Sequence, residues 1–273
     1  MNSKLSAGLI QLCSSGDINE NVKSATKLIQ EAAGEGAEFV LTPENTVLLE
    51  NRTRQLLANT TPEKDNQSLQ HFIGLAQDLG IWLLIGSIAV KVSDTKLANR
   101  SFLISPQGIM ARYDKIHMFD VDLEGGESYR ESKNFEAGSQ IVVAETPWGG
   151  LGLTVCYDLR FPYLYRQLAK AGASIISVPS AFTRQTGKAH WHVLLRARAI
   201  ETGCFILAPA QAGEHSNGRV TYGHSLAVNP WGEVLADAGE VATGAFVFTL
   251  NLSEVKEARG KIPALLHDKE LER

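Results

Sequence analysis

The sequence predicts an α/β protein built as a layered sandwich, with helices outside and sheets inside. Three observations lead there. Strand-like and helix-like segments alternate along the chain, as they do where helices pack on sheets. The strands read as near-continuous apolar runs rather than clean alternations, so both of their faces are buried. Two hairpin turns, Pro147 to Gly150 and Asn229 to Gly232, add antiparallel strands. A strand with a helix on one side and a second sheet on the other meets all three conditions, giving the order α-β-β-α.

The elements follow in order. "LSAGLIQL" is a strand. "INENVKSATKLIQEAAGEG" is a helix with Val22, Ala25, Leu28, Ile29 and Ala32 on one face, Asp17 as its cap and Gly34 as its stop. "AEFVLTPE" is a short strand halted by Pro43. "DNQSLQHFIGLAQDLG" is a second helix, stopping at Gly80. "IWLLIGSIAV" and "ANRSFLISPQG" are neighbouring strands, and "SPQG" turns into "IMARYDK". A loop rich in Gly, Glu and Ser runs from Leu123 to Ser139. Beyond it come the hairpin "IVVAETPWGGLGLTVC", the helix "YLYRQLAKAG", the strand "ASIISVPS" and the helix "AHWHVLLRARAIETG". The strand "CFILAPA", the hairpin "GHSLAVNPWGEVLADAG", the strand "GAFVFTL" and the helix "SEVKEARGK" complete the chain. No linker, low-complexity tract or fixed repeat divides it, so residues 1–273 are expected to form a single domain.

Composition narrows the function classes. Hydrophobic residues make up 44% and charged residues 21%, an ordinary globular balance. A net charge of −4 gives no reason to expect nucleic acid or an anionic membrane as partner. No stretch approaches the roughly 18–20 apolar residues of a membrane span, and the first residues are too short an apolar run for a secretory leader. Cys13, Cys156 and Cys204 are widely spaced and form no CxxC pair, which argues against a disulfide framework and a structural zinc site. A cytoplasmic location is the expectation.

Three reactive side chains stand just beyond apolar strands. Glu44 follows "FVLTP", Lys115 follows "IMARYD" and Cys156 follows "LGLTV". Function gathers at strand ends because a rigid scaffold holds the loops there. Taken singly, the cysteine could be a small buried hydrophobe, the lysine a solvated charge and the glutamate a cap. Taken together, they could converge on one pocket.

The words around them are specific. "LTPENT", "YDKIHMFD" and "CYDLRFP", with "GKAHWHVLLRARAIETGCF" and "YGHSLAVNPWGEVLA" further on, resemble the nitrilase superfamily of carbon–nitrogen hydrolases, in its Nit branch. The similarity runs from about "AGLIQL" to "KIP". One departure is Lys188, beside a pocket loop, where Nit relatives often carry Pro. The resemblance implies a four-layer α-β-β-α fold and a triad of Glu44, Lys115 and Cys156. It implies a second, supporting glutamate at Glu131, with Glu127 and Glu136 close by in sequence. It also implies a homodimer through the helices near 163–172 and 189–203, and a small-molecule substrate. That substrate would be the amide of a 2-oxo acid, with deaminated glutathione favoured over 2-oxoglutaramate. A nitrile or an N-carbamoyl amino acid is the enzymatic rival, and an idle scaffold of the same fold the non-enzymatic one.

The chemistry needs these residue types. The thiolate, not the thiol, is the nucleophile, and Glu44 can take the Cys156 proton and return it to the departing nitrogen. A dry pocket is expected to raise the Glu44 pKa for that task. Lys115 and the backbone N–H of Tyr157 are the expected oxyanion donors, and loss of one such donor typically lowers the rate roughly 10²–10³-fold. No metal or organic cofactor is required. Arg160, four residues past Cys156, is either a fork for a substrate carboxylate or the ion-pair partner of Asp158. Ser180, Ala181, Phe182 and Thr183 either line the pocket or only pack. His190 and His192 fall on different faces of a helix, which disfavours joint metal ligation. His215 and His224 have no assigned role, and Cys13 and Cys204 are expected to be inert within strands.

Overall fold

A computed structural model describes residues 3–123, 128–240 and 243–269 of the chain. Its first half contains β1 (Lys4–Gln11), α1 (Ile18–Gly34), β2 (Phe39–Leu41), α2 (Thr53–Ala58), α3 (Gln67–Leu79), β3 (Trp82–Lys91), β4 (Leu97–Ser105) and β5 (Gly108–Asp114). A ribbon of β6 (Asp120–Asp122) and β7 (Ser128–Arg130) follows. Then come β8 (Val143–Thr146), β9 (Gly149–Leu153), α4 (Pro162–Lys170), β10 (Ala173–Ser177), α5 (Arg184–Thr202) and β11 (Phe205–Ala208). A second ribbon, β12 (Ala212–Glu214) and β13 (Val220–Tyr222), precedes β14 (Leu226–Val228), β15 (Val234–Asp237), β16 (Gly244–Asn251) and α6 (Ser253–Lys261).

Local chemistry sets the helix ends. Asp17 caps α1 by accepting the N–H groups of Asn19 at 2.9 Å and Glu20 at 3.1 Å. α3 ends at Gly80 in the left-handed region (φ 65°), where only glycine is free of strain. α5 begins five residues before "AHWH", because Thr183 caps it and its hydroxyl accepts from the Thr186 N–H. Lys188 therefore sits exposed within α5 rather than shaping a pocket loop. The six-residue α2 and both ribbons are too short for a periodic pattern to reveal.

Two six-stranded sheets form the middle layers, in the orders β16-β1-β2-β3-β4-β5 and β15-β14-β11-β10-β9-β8. Successive residues of the central strands belong to different cores. Leu9, Leu41 and Leu84 face the second sheet, while Ile10, Val40 and Leu83 pack with Ile29 of α1 and Phe72 of α3. Leu168 of α4 and Leu195 of α5 cover the second sheet. Both faces of each central strand are thus dry, which is why the strands read as unbroken apolar runs. The fold is the four-layer α-β-β-α sandwich.

Strand direction decides where chemistry can gather. β1, β2 and β3 run parallel, and so do β9, β10 and β11. Each trio delivers its C-terminal ends to one edge. The two sheets are tied at that edge, where Leu12 past β1 bridges to Gln211 past β11 and accepts the Ala212 N–H at 2.7 Å. Gly86 inside β3 leaves room for the approach. A Cβ there would lie 1.9 Å from the Thr42 carbonyl oxygen and 2.5 Å from Pro179 Cβ. Thr42 leads into Glu44, and Pro179 leads into Ala181.

Gly86→Ala is accordingly expected to lower stability by about 3 kcal/mol or more, since backbone must move. Gly74→Ala, in α3 with nothing near its added Cβ, should instead raise stability by about 0.5–1 kcal/mol. Urea unfolding of both variants checks this, and equal midpoints would contradict the close approach.

Candidate active site

Glu44 lies three residues past β2, Lys115 directly past β5 and Cys156 three residues past β9. The edge where the sheets meet brings them together. Lys115 is 2% exposed. Its Nζ donates to Glu44 Oε1 at 2.9 Å and to Glu131 Oε1 and Oε2 at 3.0 and 2.8 Å. Asn99, from the middle of β4, donates its side-chain N–H₂ to the same two carboxylates, at 2.9 and 3.0 Å. Backbone N–H groups complete the set: Ala181 donates to Glu44 Oε2 at 3.0 Å, and Phe119 to Glu131 Oε2 at 2.7 Å. Of the two alternatives to Glu131, Glu136 is exposed and Glu127 lies outside the described residues.

These contacts set the protonation states. Burial works against the Lys115 charge, but Glu131 and Glu44 outweigh it and raise its pKa well above the ordinary 10.5. Burial pushes Glu44 upward. The Lys115 ammonium, its hydrogen bond, the hydrogen bond of the Cys156 thiol and the Arg219 charge together hold Glu44 below its ordinary 4.5. The raised Glu44 pKa expected of a dry pocket is therefore not what the site produces, because the pocket is dry but not uncharged. The Cys156 thiol is pushed far up by burial and then by the Glu44 charge, which Lys115 and the Ala181 N–H only partly offset. At neutral pH the pair is a protonated thiol against an ionised carboxylate.

The turn at Cys156 is sharp. The residue has φ +49°, in the left-handed region, and its N–H donates to the Pro179 carbonyl at 2.9 Å. Asp158 holds the turn. Its buried Oδ2 accepts from the Val155 N–H at 2.9 Å and the Tyr113 hydroxyl at 2.7 Å. Its Oδ1 meets the His117 N–H at 3.0 Å and His117 Nδ1 at 2.6 Å. The His117 ring stacks on Phe161 with centroids 3.5 Å apart. The Tyr157 N–H finds no acceptor among the described residues.

A cavity of about 270 Å³ opens onto the site, and Glu44, Lys115, Glu131, Cys156 and Tyr157 all line it. Ala181, Phe182 and Thr183 line it as well. Ser180 does not: its hydroxyl turns back to the Val178 carbonyl at 2.9 Å, and its N–H is taken by the Pro209 carbonyl. Arg160 stands beside the cavity rather than on its wall. Its guanidinium lies over the rings of Phe182 at 5.3 Å and Tyr157 at 5.8 Å, with His190 Nδ1 at 3.3 Å. The Asp158–Arg160 ion pair does not form, since Asp158 is taken up by the turn.

Asn99 and the cavity-lining Arg219 escaped the sequence reading, and Asp158 entered it only as a partner for Arg160. Asn99 carried a signal, a lone amide inside the apolar strand "ANRSFLI". His192 Nε2 and His224 Nδ1 both meet the Asp237 carboxylate, at 3.1 and 2.8 Å, although no role was assigned to His224. Cys13 is exposed beyond β1 rather than inside a strand. Cys204 is buried just before β11 and accepts from Arg259 Nη2 at 3.0 Å.

Comparison with known proteins agrees with this architecture. The carbon-nitrogen hydrolase family matches residues 6–260. A deaminated glutathione amidase of Yersinia enterocolitica is 41% identical over 265 residues, covering 96% of this chain and 92% of that protein. The NitFhit protein of C. elegans superposes with a TM-score of 0.90 at 33% identity. It covers 98% of this chain, which in turn spans 65% of that longer protein. A Saccharomyces cerevisiae member of branch 10 of the nitrilase superfamily follows, with a TM-score of 0.86 at 29% identity, covering 96% of this chain and 95% of that one.

The two shifts predict how stability depends on pH. Glu44, lowered in the fold, contributes stability that is complete above pH 4.5 and lost as pH falls through its folded value. Lys115, raised in the fold, contributes stability that is complete below pH 10.5 and lost as pH rises through its folded value. Urea unfolding from pH 3 to 7 should therefore show a shallower acid loss for Glu44→Gln than for the unaltered protein. Identical acid slopes would mean that the carboxylate is not held by Lys115.

Proposed function

The chain belongs to the carbon–nitrogen hydrolase family and is a hydrolase of non-peptide carbon–nitrogen bonds, and we propose that its substrate is a small carboxylate-bearing 2-oxo acid amide, such as deaminated glutathione, cleaved through a thioester on Cys156. One observation carries the reading. The buried Glu44 carboxylate, the Lys115 ammonium 2.9 Å from it and the Cys156 thiol converge on the wall of one cavity.

In this mechanism the Cys156 sulfur attacks the amide carbon as its proton passes to Glu44. The low proton affinity of Glu44 suits the next step, in which it gives that proton to the departing nitrogen. The C–N bond breaks, the amine or ammonia leaves, and the acyl group remains on sulfur. Water then attacks the thioester and gives up a proton to Glu44, which returns it to the sulfur as the acid departs. Lys115 and the Tyr157 N–H stabilise the oxyanion in both halves. Glu131 keeps Lys115 charged and in place. Arg160 is proposed to bind a substrate carboxylate at the cavity mouth, with Ala181, Phe182 and Thr183 as walls.

We further propose a cytoplasmic homodimer through α4 and α5. Tyr163 on α4 and Val193 and Ile200 on α5 are all more than half exposed, at 55%, 68% and 55%. Large apolar groups in that position favour a covered face. The three cysteines are free, as in a reducing compartment. Among the described residues no helix is long and apolar enough to cross a membrane.

Amine or ammonia release should be measured on deaminated glutathione, 2-oxoglutaramate, succinamate and a simple nitrile. The 2-oxo amides are expected to lead, and Cys156→Ala and Glu44→Gln should each lower kcat by about 10³-fold or more. A strong preference for the nitrile would sink the amidase reading. Light scattering should return twice the 29.7 kDa chain mass and Val193→Asp should shift it toward one; a monomeric unaltered protein at micromolar concentration rules the dimer out.

A further inference from the structure

The charged side chains that line the cavity among the described residues are Glu44, Glu50, Lys115, Arg130, Glu131 and Arg219. All but one are matched. Lys115 serves Glu44 and Glu131. Glu50 pairs with Arg52 at 2.7 Å, and Arg130 with Asp122 at 2.8 Å. Arg219 has no carboxylate within ion-pairing distance among the described residues. Its Nη2 donates to the Ala181 carbonyl, and its Nε is buried with no hydrogen-bond partner. A buried guanidinium N–H without an acceptor is unfavourable, and a carboxylate is the acceptor whose shape fits the fork.

The cation is also held in place. Its guanidinium lies 5.4 Å from the centre of the Tyr129 ring. Arg219 ends the loop between β12 and β13, and that loop is pinned at several points. His215 bonds the Ser14 carbonyl and the Thr221 hydroxyl, both at 2.7 Å, and Asn217 donates to the Leu49 carbonyl at 3.1 Å. A loop so fixed presents its arginine in one position before any ligand arrives.

Position along the substrate follows from Ala181, whose N–H donates to Glu44 Oε2 while its carbonyl accepts from Arg219. In the proposed mechanism Glu44 protonates the departing nitrogen, so the leaving group lies on the side of Glu44 and Arg219. Arg160 stands over Tyr157 and Phe182. Resting on the amidase reading above, we infer that Arg219 forms a carboxylate subsite for the leaving amine, so that the enzyme selects amides with a carboxylate on the amine half, such as an amino-acid or dipeptide amine. The acyl-side carboxylate is left to Arg160.

The test compares deaminated glutathione, which carries a carboxylate on both halves, with 2-oxoglutaramate, whose leaving group is ammonia. Arg219→Ala is expected to lower kcat/KM for deaminated glutathione about 10- to 100-fold more than for 2-oxoglutaramate, chiefly through KM. Loss of the Arg219 charge near Glu44 acts on both substrates alike, so the ratio between them reports the subsite, and Arg219→Lys should recover part of it. The ratio between substrates is taken on one preparation, so partial misfolding cancels. Equal losses on both substrates, or none on either, overturn the subsite. An unaltered protein that prefers 2-oxoglutaramate overturns it too, while leaving the amidase reading intact. Cleavage of neither substrate defeats the proposed function itself, and this inference with it.

Discussion

The site depends on one buried ammonium held between two carboxylates. Lys115 is cut off from water, where an isolated charge would be prohibitive. Glu44 and Glu131 compensate it, and Asn99 compensates them in turn by donating to both. Two carboxylates that would otherwise repel are held within hydrogen-bond reach of one amide and one ammonium. The arrangement is meaningful only as a unit, because removing Lys115 leaves two carboxylates facing each other in a dry place, and removing either carboxylate or Asn99 strips buried polar groups of their partners. That mutual dependence fixes the ends of β2 and β5 and the body of β4 relative to the segment that carries Glu131.

The same charges decide what Glu44 can do. A dry pocket by itself would make a reluctant acid that stays protonated near neutrality. With Lys115 and Arg219 nearby, the carboxylate is ionised and ready to accept a proton, which it then holds weakly. The thiol lies at the opposite extreme, strongly disposed to keep its proton until an electrophile arrives. The resting site therefore does not store a thiolate, and in the proposed mechanism attack and proton transfer proceed together. The strained backbone at Cys156 belongs to this design. Tyr113, His117 and the Val155 N–H converge on Asp158 to hold a conformation that a cysteine would not otherwise adopt.

Much of this was legible before any coordinates. The cap at Asp17, the stop at Gly80 and the hairpins at Pro147 and Asn229 are local chemistry, read from a few neighbouring residues. The dry strands announced themselves by losing their alternation. Glu44, Lys115 and Cys156 stood out because each follows an apolar run, and the surrounding words resembled a family whose model the chain proves to match. Asn99 went unremarked inside the strand "ANRSFLISPQG", and Asp158 was considered only as a partner for Arg160. Nothing local distinguishes an amide that joins two carboxylates from one that faces solvent.

What the amino-acid order determined by itself is the layer order, the strand ends and the chemical types waiting there, since these follow from periodicity and turn residues over short spans. What only the tertiary structure decided is which of those groups meet, and with what charge. Lys115 and Glu44 are 71 residues apart and Ala181 and Glu44 are 137 apart, so their contact depends on two sheets being tied at one edge. The depressed Glu44, the matched Arg130 and an Arg219 unmatched among the described residues are all consequences of that convergence. Electrostatic balance is a property of neighbours in space, and the chain's own order does not reveal who those neighbours are.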